Sequence, residues 1–327
     1  MKLLIKTKGG HEQGLGDVTG SISVANEAIS LGHDVCIAVE GDKSAIELVR
    51  CSGYPFHIVS NASLLAVLAS YQLPGSILLN QLNNPPELVA GLKELGWKVI
   101  TLDDTGPAST LADIRINPEY FVNDSYSGPE YIPLNPVYRE YHKKERIFPS
   151  RISSVLVTMG GSDTYGFTST VMEALFNITW VLDITIIAGS AFQSDIFFKG
   201  TIGKSNHSVR VLHCLSPKEM ADAMLQADLA ISGAGLTLFE LACTGTPVVV
   251  VCNEPFEEET ADYLEKKGFG LNLGFHNPPC RGRITDIVMK IGEDGSARRQ
   301  MSEQGRALID GRGIERIVDL IFEGDVK

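Results

Sequence analysis

The chain has 327 residues, 44% of them hydrophobic, which is enough for two domains of about 150 residues each with filled cores. Its formal net charge of −12 argues against a nucleic-acid partner, because phosphate backbones are bound by clustered lysine and arginine. The six cysteines and seven histidines lack the close pairing of a zinc site or a disulfide framework, so we expect reduced thiols and no metal. The first apolar run is too short for a signal peptide or an integral membrane segment, so we expect a cytoplasmic protein.

Short apolar runs typical of strands alternate with helical patterns along the chain, which predicts parallel βαβ units in an α/β fold. Segment 18–31 has apolar residues at helical spacing and ends at Gly32. The strand candidates are 3–7, 35–39, 57–59, 77–79 and 99–102 in the first half, and 155–158, 183–187, 209–212, 229–231 and 248–251 in the second.

Residues 126–150 are rich in proline, tyrosine and charge and have no sustained periodicity, which is typical of a connection. We therefore predict an N-terminal Rossmann-like domain over 1–148 and a C-terminal one over 149–327. The last helix, from Gly313, carries the apolar stripe Ile314, Ile317 and Leu320, which has to pack against another element.

Three glycine-bearing turns, 8–16, 160–163 and 232–235, follow predicted strands and precede predicted helices. Free N–H groups at a helix N-terminus suit a phosphate, and small residues let a ligand approach the backbone. The first two turns make Gly14, Gly16, Gly161 and Ser162 phosphate-binding candidates. The competing interpretation is a plain tight turn, with Ser162 and Asp163 capping the next helix.

The stretch from Ala230 to Ala242, with Gly245-Thr246-Pro247 after it, resembles the donor-binding segment of GT-B nucleotide-sugar glycosyltransferases. The resemblance implies two facing Rossmann-like domains with parallel sheets and a nucleotide sugar in the cleft between them. It assigns the ribose to Glu240. It assigns the diphosphate to Gly233, Ala234, Gly235, Leu236 and Thr237.

Further motifs are similar to one branch of this superfamily, which contains the UDP-sugar hydrolase of pseudaminic acid biosynthesis and a spore-coat polysaccharide protein. In that branch the first glycine turn reads Gly-x-Gly-His-x-x-Arg, and a tyrosine follows the fourth strand. Here Gly14-Leu15-Gly16 matches, but Asp17 replaces the histidine, Gly20 the arginine and Asn80-Gln81 the tyrosine. The other matching segments are Leu102-Asp103-Asp104, 112–117, Gly128-Pro129-Glu130-Tyr131, 159–163 and Asp310-Gly311-Arg312-Gly313.

Two residues are candidates for the catalytic base. Asp17 has an ordinary pKa of about 3.9, so it is a weak base at neutral pH unless burial raises that pKa. The competing interpretation of Asp17 is the N-cap of a helix that begins at Val18. His11 titrates near neutrality, and its competing interpretation is an exposed loop histidine.

After the strand at 248–251, the branch carries an Asn-Gln pair that contacts the sugar. The resemblance makes Asn253 and Glu257 sugar-binding candidates here, in a pocket altered from that of the relatives. Glu258 and Glu259 fit the acidic first turn of a helix.

These residues predict a glycosyltransferase-type enzyme of polysaccharide or surface-glycan biosynthesis with a nucleotide sugar, by resemblance UDP-linked, as substrate and no further cofactor. The acceptor, a sugar or a lipid-linked molecule, and the oligomeric state stay open. Two alternatives are a UDP-sugar hydrolase with an altered base and a non-catalytic nucleotide-sugar-binding protein.

Overall fold

A computed structural model describes residues 2–10, 14–69, 74–118, 126–160, 163, 165–188, 206–276 and 278–322. The chain divides into two compact units, one of Met1–Pro136 with Gly311–Lys327 and one of Val137–Asp310.

The first unit is a six-stranded parallel sheet with helices on both faces. Its strand order is β3-β2-β1-β4-β5-β6, that of a Rossmann fold. The elements are β1 (Lys2–Gly9), α1 (Gly16–Ser30), β2 (Asp34–Gly41), α2 (Lys43–Cys51), β3 (Phe56–Ile58), α3 (Asn61–Leu68), β4 (Ser76–Asn80), α4 (Pro86–Glu94), β5 (Lys98–Leu102) and β6 (Ile114–Ile116), with 3-10 turns at Pro107–Leu111 and Pro129–Tyr131.

The second unit repeats this topology, with the strand order β9-β8-β7-β10-β11-β12. The predicted α/β class with two parallel sheets is confirmed, as is each predicted strand. The elements are α5 (Val137–His142), β7 (Ser154–Thr158), α6 (Phe167–Leu175), β8 (Asp183–Ala188), β9 (Ser208–His213), α7 (Pro217–Gln226), β10 (Leu229–Ser232), α8 (Leu236–Thr244), β11 (Val248–Val250), α9 (Glu257–Lys266), β12 (Leu271–Asn272), α10 (Arg281–Gly292) and α11 (Gly295–Leu308).

The prediction misses the edge strands β6 and β12, which have three and two residues. The central strands are apolar on both faces because helices cover both sides of the sheet. β4, for example, is buried at every position. One face of the first sheet packs on α1, and the other packs on α3 and α4.

The division between the units falls after Pro136, not at residue 148. The segment that begins at Val137 is held on the second unit by side-chain hydrogen bonds. Tyr141 donates to Asp222, and the Arg146 guanidinium donates to the carbonyl oxygen of Met224 (3.1 Å). The proline-rich composition indicated a connection, but these contacts make it part of the second fold.

The terminal helix α12 (Gly313–Phe322) packs against α1 and belongs to the first unit. Gly313 lies so close to the carbonyl oxygen of Ile132 that a Cβ would collide with it. The Arg316 guanidinium donates to the carbonyl oxygen of Glu130 (3.0 Å), and Lys98 donates to the carbonyl oxygen of Ile321 (2.7 Å). The Gly128–Tyr131 and Asp310–Gly313 motifs therefore meet in space.

Among the helices of the described segments, none has both the length and the apolar character that crossing a bilayer requires.

Candidate nucleotide-binding and catalytic sites

In both sheets the strand order reverses beside the first strand, between β1 and β4 in one unit and between β7 and β10 in the other. Ligands of open parallel sheets bind outside the carboxyl ends of the strands at such a switch point. The predicted residues lie at these two places, because Asp17 follows β1 and the turn 233–235 follows β10. Each unit thus has its own candidate site.

The glycine turn of the second unit joins buried β10 to α8, which begins at Leu236, one residue earlier than predicted. Gly233 and Ala234 are buried, whereas Gly235 is exposed. Within the described part of the chain, no acceptor contacts the backbone N–H groups of Gly235, Leu236 or Thr237. These groups are therefore available to an anion at the positive end of the helix dipole.

Packing dictates the glycine at position 233. A side chain there would collide with the amide nitrogen of Asn253, which is buried. That nitrogen donates to the carbonyl oxygen of Met159 (2.9 Å), so it links the end of β7 to the segment after β11. Asn253 therefore stabilises the glycine turn at 233–235. Its contact with a sugar stays a prediction.

The Glu257 carboxylate lies on the glycine turn itself. Its Oε2 accepts hydrogen bonds from the backbone N–H groups of Asn253 (2.7 Å) and Ala234 (3.1 Å). Burial raises the pKa of Glu257, and the hydrogen bonds from these amides oppose that rise. The turn thus already holds one carboxylate beside the free N–H groups. Contact of Glu257 with a sugar stays a prediction.

Glu240, the predicted ribose ligand, lies one turn inside α8 and is partly exposed. Burial of its carboxyl group raises its pKa to about 7, and a hydrogen bond with the Tyr138 hydroxyl acts in the opposite direction. Tyr138 comes from α5 and is almost fully buried. This partner was not predicted, because about a hundred residues separate it from Glu240 and no motif joins them.

In the first unit, Asp17 is the second residue of α1, whose N-cap is Leu15 without a side-chain capping bond. The interpretation of Asp17 as the N-cap is therefore wrong, because the helix begins at Gly16 and not at Val18. Burial raises the pKa of the Asp17 carboxyl group from 3.8 to about 6. Its side chain therefore has the base strength that an unperturbed aspartate lacks.

Asn80 and Gly20 stand where the related branch has tyrosine and arginine, and both have structural roles. The Asn80 side chain donates to the carbonyl oxygen of Asp17 (2.9 Å) and to the Ser21 hydroxyl (2.9 Å). Gly20 is buried, and a Cβ there would lie 3.3 Å from Pro133. The packing of Gly20 against Pro133 thus leaves little room for an arginine at position 20.

The first glycine turn is described in part. Gly14 has φ of +80°, and its carbonyl oxygen accepts from the Gly10 N–H group (3.0 Å). Gly14 and Gly16 are exposed and have open space where a side chain would stand. His11 lies outside the described residues.

The turn after β7 is also described in part. Gly161 and Ser162 lie outside the described residues. The Asp163 carboxylate accepts from the N–H groups of Phe167 (2.7 Å) and Thr168 (3.2 Å). Asp163 therefore accepts from two N–H groups in the first turn of α6, whose N-cap position is Gly166.

A buried lysine at the carboxyl edge of the first sheet was not predicted. The Lys6 side chain is fully buried, and its ammonium group contacts Glu40 Oε2 (2.8 Å) and the side-chain oxygen of Gln81. Glu40 also pairs with Lys8 (3.1 Å). Burial lowers the pKa of Lys6, and the bond to Glu40 opposes this. The available signal was a lysine that directly follows the apolar run Leu3-Leu4-Ile5 inside a strand.

No protein-family model matches the chain. It is 27% identical over 287 residues to an uncharacterized protein of Methanocaldococcus jannaschii, a match that covers 81% of this chain and 59% of that protein. It is 25% identical over 259 residues to the spore coat polysaccharide biosynthesis protein SpsG of Bacillus subtilis, over 75% of each chain. The chain thus resembles the spore-coat branch that its motifs indicated.

Two solved structures have the same architecture. MurG of Acinetobacter baumannii superposes with a TM-score of 0.71 at 15% identity over 98% of both chains. UGT2 of Phytolacca americana, complexed with UDP-2-fluoro-glucose and pterostilbene, gives a TM-score of 0.63 at 11% identity over 94% of this chain and 93% of its own. At these identities the likeness establishes the fold, which is that of the GT-B glycosyltransferases.

Proposed function

We propose that this chain is a cytoplasmic glycosyltransferase-type enzyme of polysaccharide or surface-glycan biosynthesis that uses a UDP-sugar as donor. The observation that carries the proposal is the turn before α8, where three N–H groups free of acceptors in the described chain lie one helical turn from the Glu240 carboxylate. Amide donors for a diphosphate and an acceptor for a ribose diol are the two functions that a nucleoside diphosphate requires.

The donor site is assigned to the second unit. The N–H groups of Gly235, Leu236 and Thr237 offset the negative charge that builds on the diphosphate as the anomeric C–O bond breaks, which is an electrostatic form of catalysis. Asn253 and Glu257 are assigned to the sugar, as the sequence predicted. Gly161 and Ser162 complete the proposed phosphate contacts.

The catalytic base is assigned to the first unit. A base is most effective when its pKa lies near the working pH, and burial brings Asp17 to about 6. Its carboxylate would then be ionised at neutral pH and would take the proton of an acceptor hydroxyl as the new glycosidic bond forms. His11 is the second candidate for this step. The scheme uses no metal and no further cofactor.

Purified protein incubated with UDP-sugars, with and without a panel of sugar and lipid-linked acceptors, tests this function by the release of UDP. We expect release that depends on an acceptor and falls at least about 100-fold in Asp17→Asn, while UDP affinity is kept. Release of UDP without any acceptor would instead identify a hydrolase. UDP binding without turnover on any donor would identify a binding protein.

A further inference from the structure

Helix α5 lies against α8, and two contacts fix the position of one helix along the other. The Cys243 thiol donates to the carbonyl oxygen of Tyr138 (3.6 Å), and the His142 ring lies 3.2 Å from the carbonyl oxygen of Cys243. Glu240 precedes Cys243 by three residues, so the two share a face of α8. The face of α8 that carries Glu240 is therefore the one that α5 covers.

The Tyr138 hydroxyl donates its hydrogen bond to the Glu240 carboxyl group. Tyr138 is 1% exposed, and burial together with the neighbouring Glu240 raises the pKa of its hydroxyl, so it stays a neutral donor at every physiological pH. A carboxylate has about four acceptor positions. Glu240 can accept from the tyrosine with one oxygen and from a ligand with the other, because the residue is partly exposed.

We propose that Tyr138 is a positioning residue for ribose recognition, whose hydroxyl fixes the Glu240 carboxylate in the orientation that accepts the ribose diol. The inference rests on the proposed function, because it assumes a nucleotide in the site before α8. It adds a residue outside the nucleotide-binding segment, on a helix that the sequence indicated only as part of a connection.

The other polar groups around Glu240 do not replace this contact in the described structure. On α8 itself the neighbour is the Cys243 thiol, and burial raises its pKa to about 12, which keeps it neutral. From α5, His142 is directed at the carbonyl oxygen of Cys243. From α11, the Arg306 guanidinium donates to the carbonyl oxygen of Thr244 (3.0 Å). The Tyr138 hydroxyl is thus the group that orients the Glu240 carboxylate.

Affinities for UDP and 2′-deoxy-UDP, measured by calorimetry at pH 8, test the proposal. Tyr138→Phe keeps the ring that fills the interface and removes the donor. We expect about a tenfold loss of UDP affinity and a clearly smaller loss for 2′-deoxy-UDP, because a hydrogen bond to a charged group is worth that much and the deoxy ligand keeps only the 3′-hydroxyl of the diol. A variant with the wild-type ratio of the two affinities would overturn the proposal.

Tyr141→Phe is the matched control, because Tyr141 lies on the same helix and donates to Asp222 instead. Both of its affinities should equal those of the wild type. Glu240→Gln should lose the preference for UDP over the deoxy ligand while Tyr138 is present. If Tyr138→Phe does not fold, as judged by its melting curve, Tyr138→Leu gives a second apolar replacement with the same expected ratio.

The hydrogen bond between Tyr138 and Glu240 can also be detected without any ligand. The carboxyl signal of Glu240 in protein labelled with ¹³C-glutamate, identified by its loss in Glu240→Gln, should titrate at a higher pH in Tyr138→Phe, because the bond favours the charged form. An unchanged midpoint would overturn the inference. If wild-type protein binds no uridine nucleotide, the proposed function fails, while this titration still reports whether Tyr138 sets Glu240.

Discussion

Replacing Asp17 with asparagine should make the protein more stable and less active at the same time. The folded protein holds the Asp17 proton more tightly than the unfolded chain does, since burial raises the pKa from 3.8 to about 6. Deprotonation therefore favours the unfolded state. The contribution of this group to stability is complete below about pH 4, is lost as the pH rises to about 6, and stays lost above it.

The size of the effect follows from the same pKa change. One pKa unit corresponds to about 1.4 kcal/mol, so a difference of roughly two units sets a ceiling of about 3 kcal/mol. The side chain keeps some contact with water, and screening reduces the expected gain to about 1–2 kcal/mol at pH 8. In a domain of this size, that gain raises the melting temperature by roughly 2–8 °C.

Differential scanning calorimetry between pH 4.5 and pH 8 measures this gain, with acceptor-dependent UDP release measured on the same samples. The Asp17→Asn advantage should be about a third of its full size at pH 4.5 and complete by pH 7. Asp34→Asn is the control for net charge, because Asp34 is exposed at the start of β2. A pH dependence in Asp17→Asn that parallels the wild type would refute the account of its burial.

Three further outcomes concern the turn before α8. Gly235→Ala should keep the melting temperature within about 2 °C of the wild type, because its Cβ would meet nothing closer than Glu257 at 4.0 Å. The same Cβ should hinder the approach of the diphosphate to the backbone and weaken UDP binding, measured by calorimetry, at least about tenfold. Gly233→Ala should instead lower the melting temperature, because its Cβ collides with Asn253, and a variant as stable as the wild type would contradict the packing described. Glu257→Gln should strengthen UDP binding several-fold at pH 8 and low salt, because it removes a negative charge that lies on the turn, and weaker binding would show that this charge does not oppose the diphosphate.

The sequence was sufficient for the fold, because long apolar strands and glycine turns are local signals. It was insufficient where the position of a side chain depends on which of several groups it contacts in the folded chain. The sequence predicted that Glu257 lies in the first turn of a helix, but the position of its carboxylate depends on hydrogen bonds from two backbone N–H groups. The burial of Asp17 depends on how the carboxyl edge of the first sheet packs. The contact between Tyr138 and Glu240 joins two helices far apart in sequence, so no periodicity could reveal it.

The departures from the related branch bear on whether this chain does chemistry. Asn80 donates to the backbone of Asp17 at the start of α1, and Gly20 packs against Pro133, so the positions of the missing tyrosine and arginine have defined structural roles. The first turn of α1 carries a buried carboxylate, Asp17, whose ionisation costs stability at neutral pH. A protein that only binds a nucleotide has no use for this loss of stability. A catalytic base with a pKa near neutrality has to be buried and therefore carries it. This difference favours an enzyme over a non-catalytic binding protein.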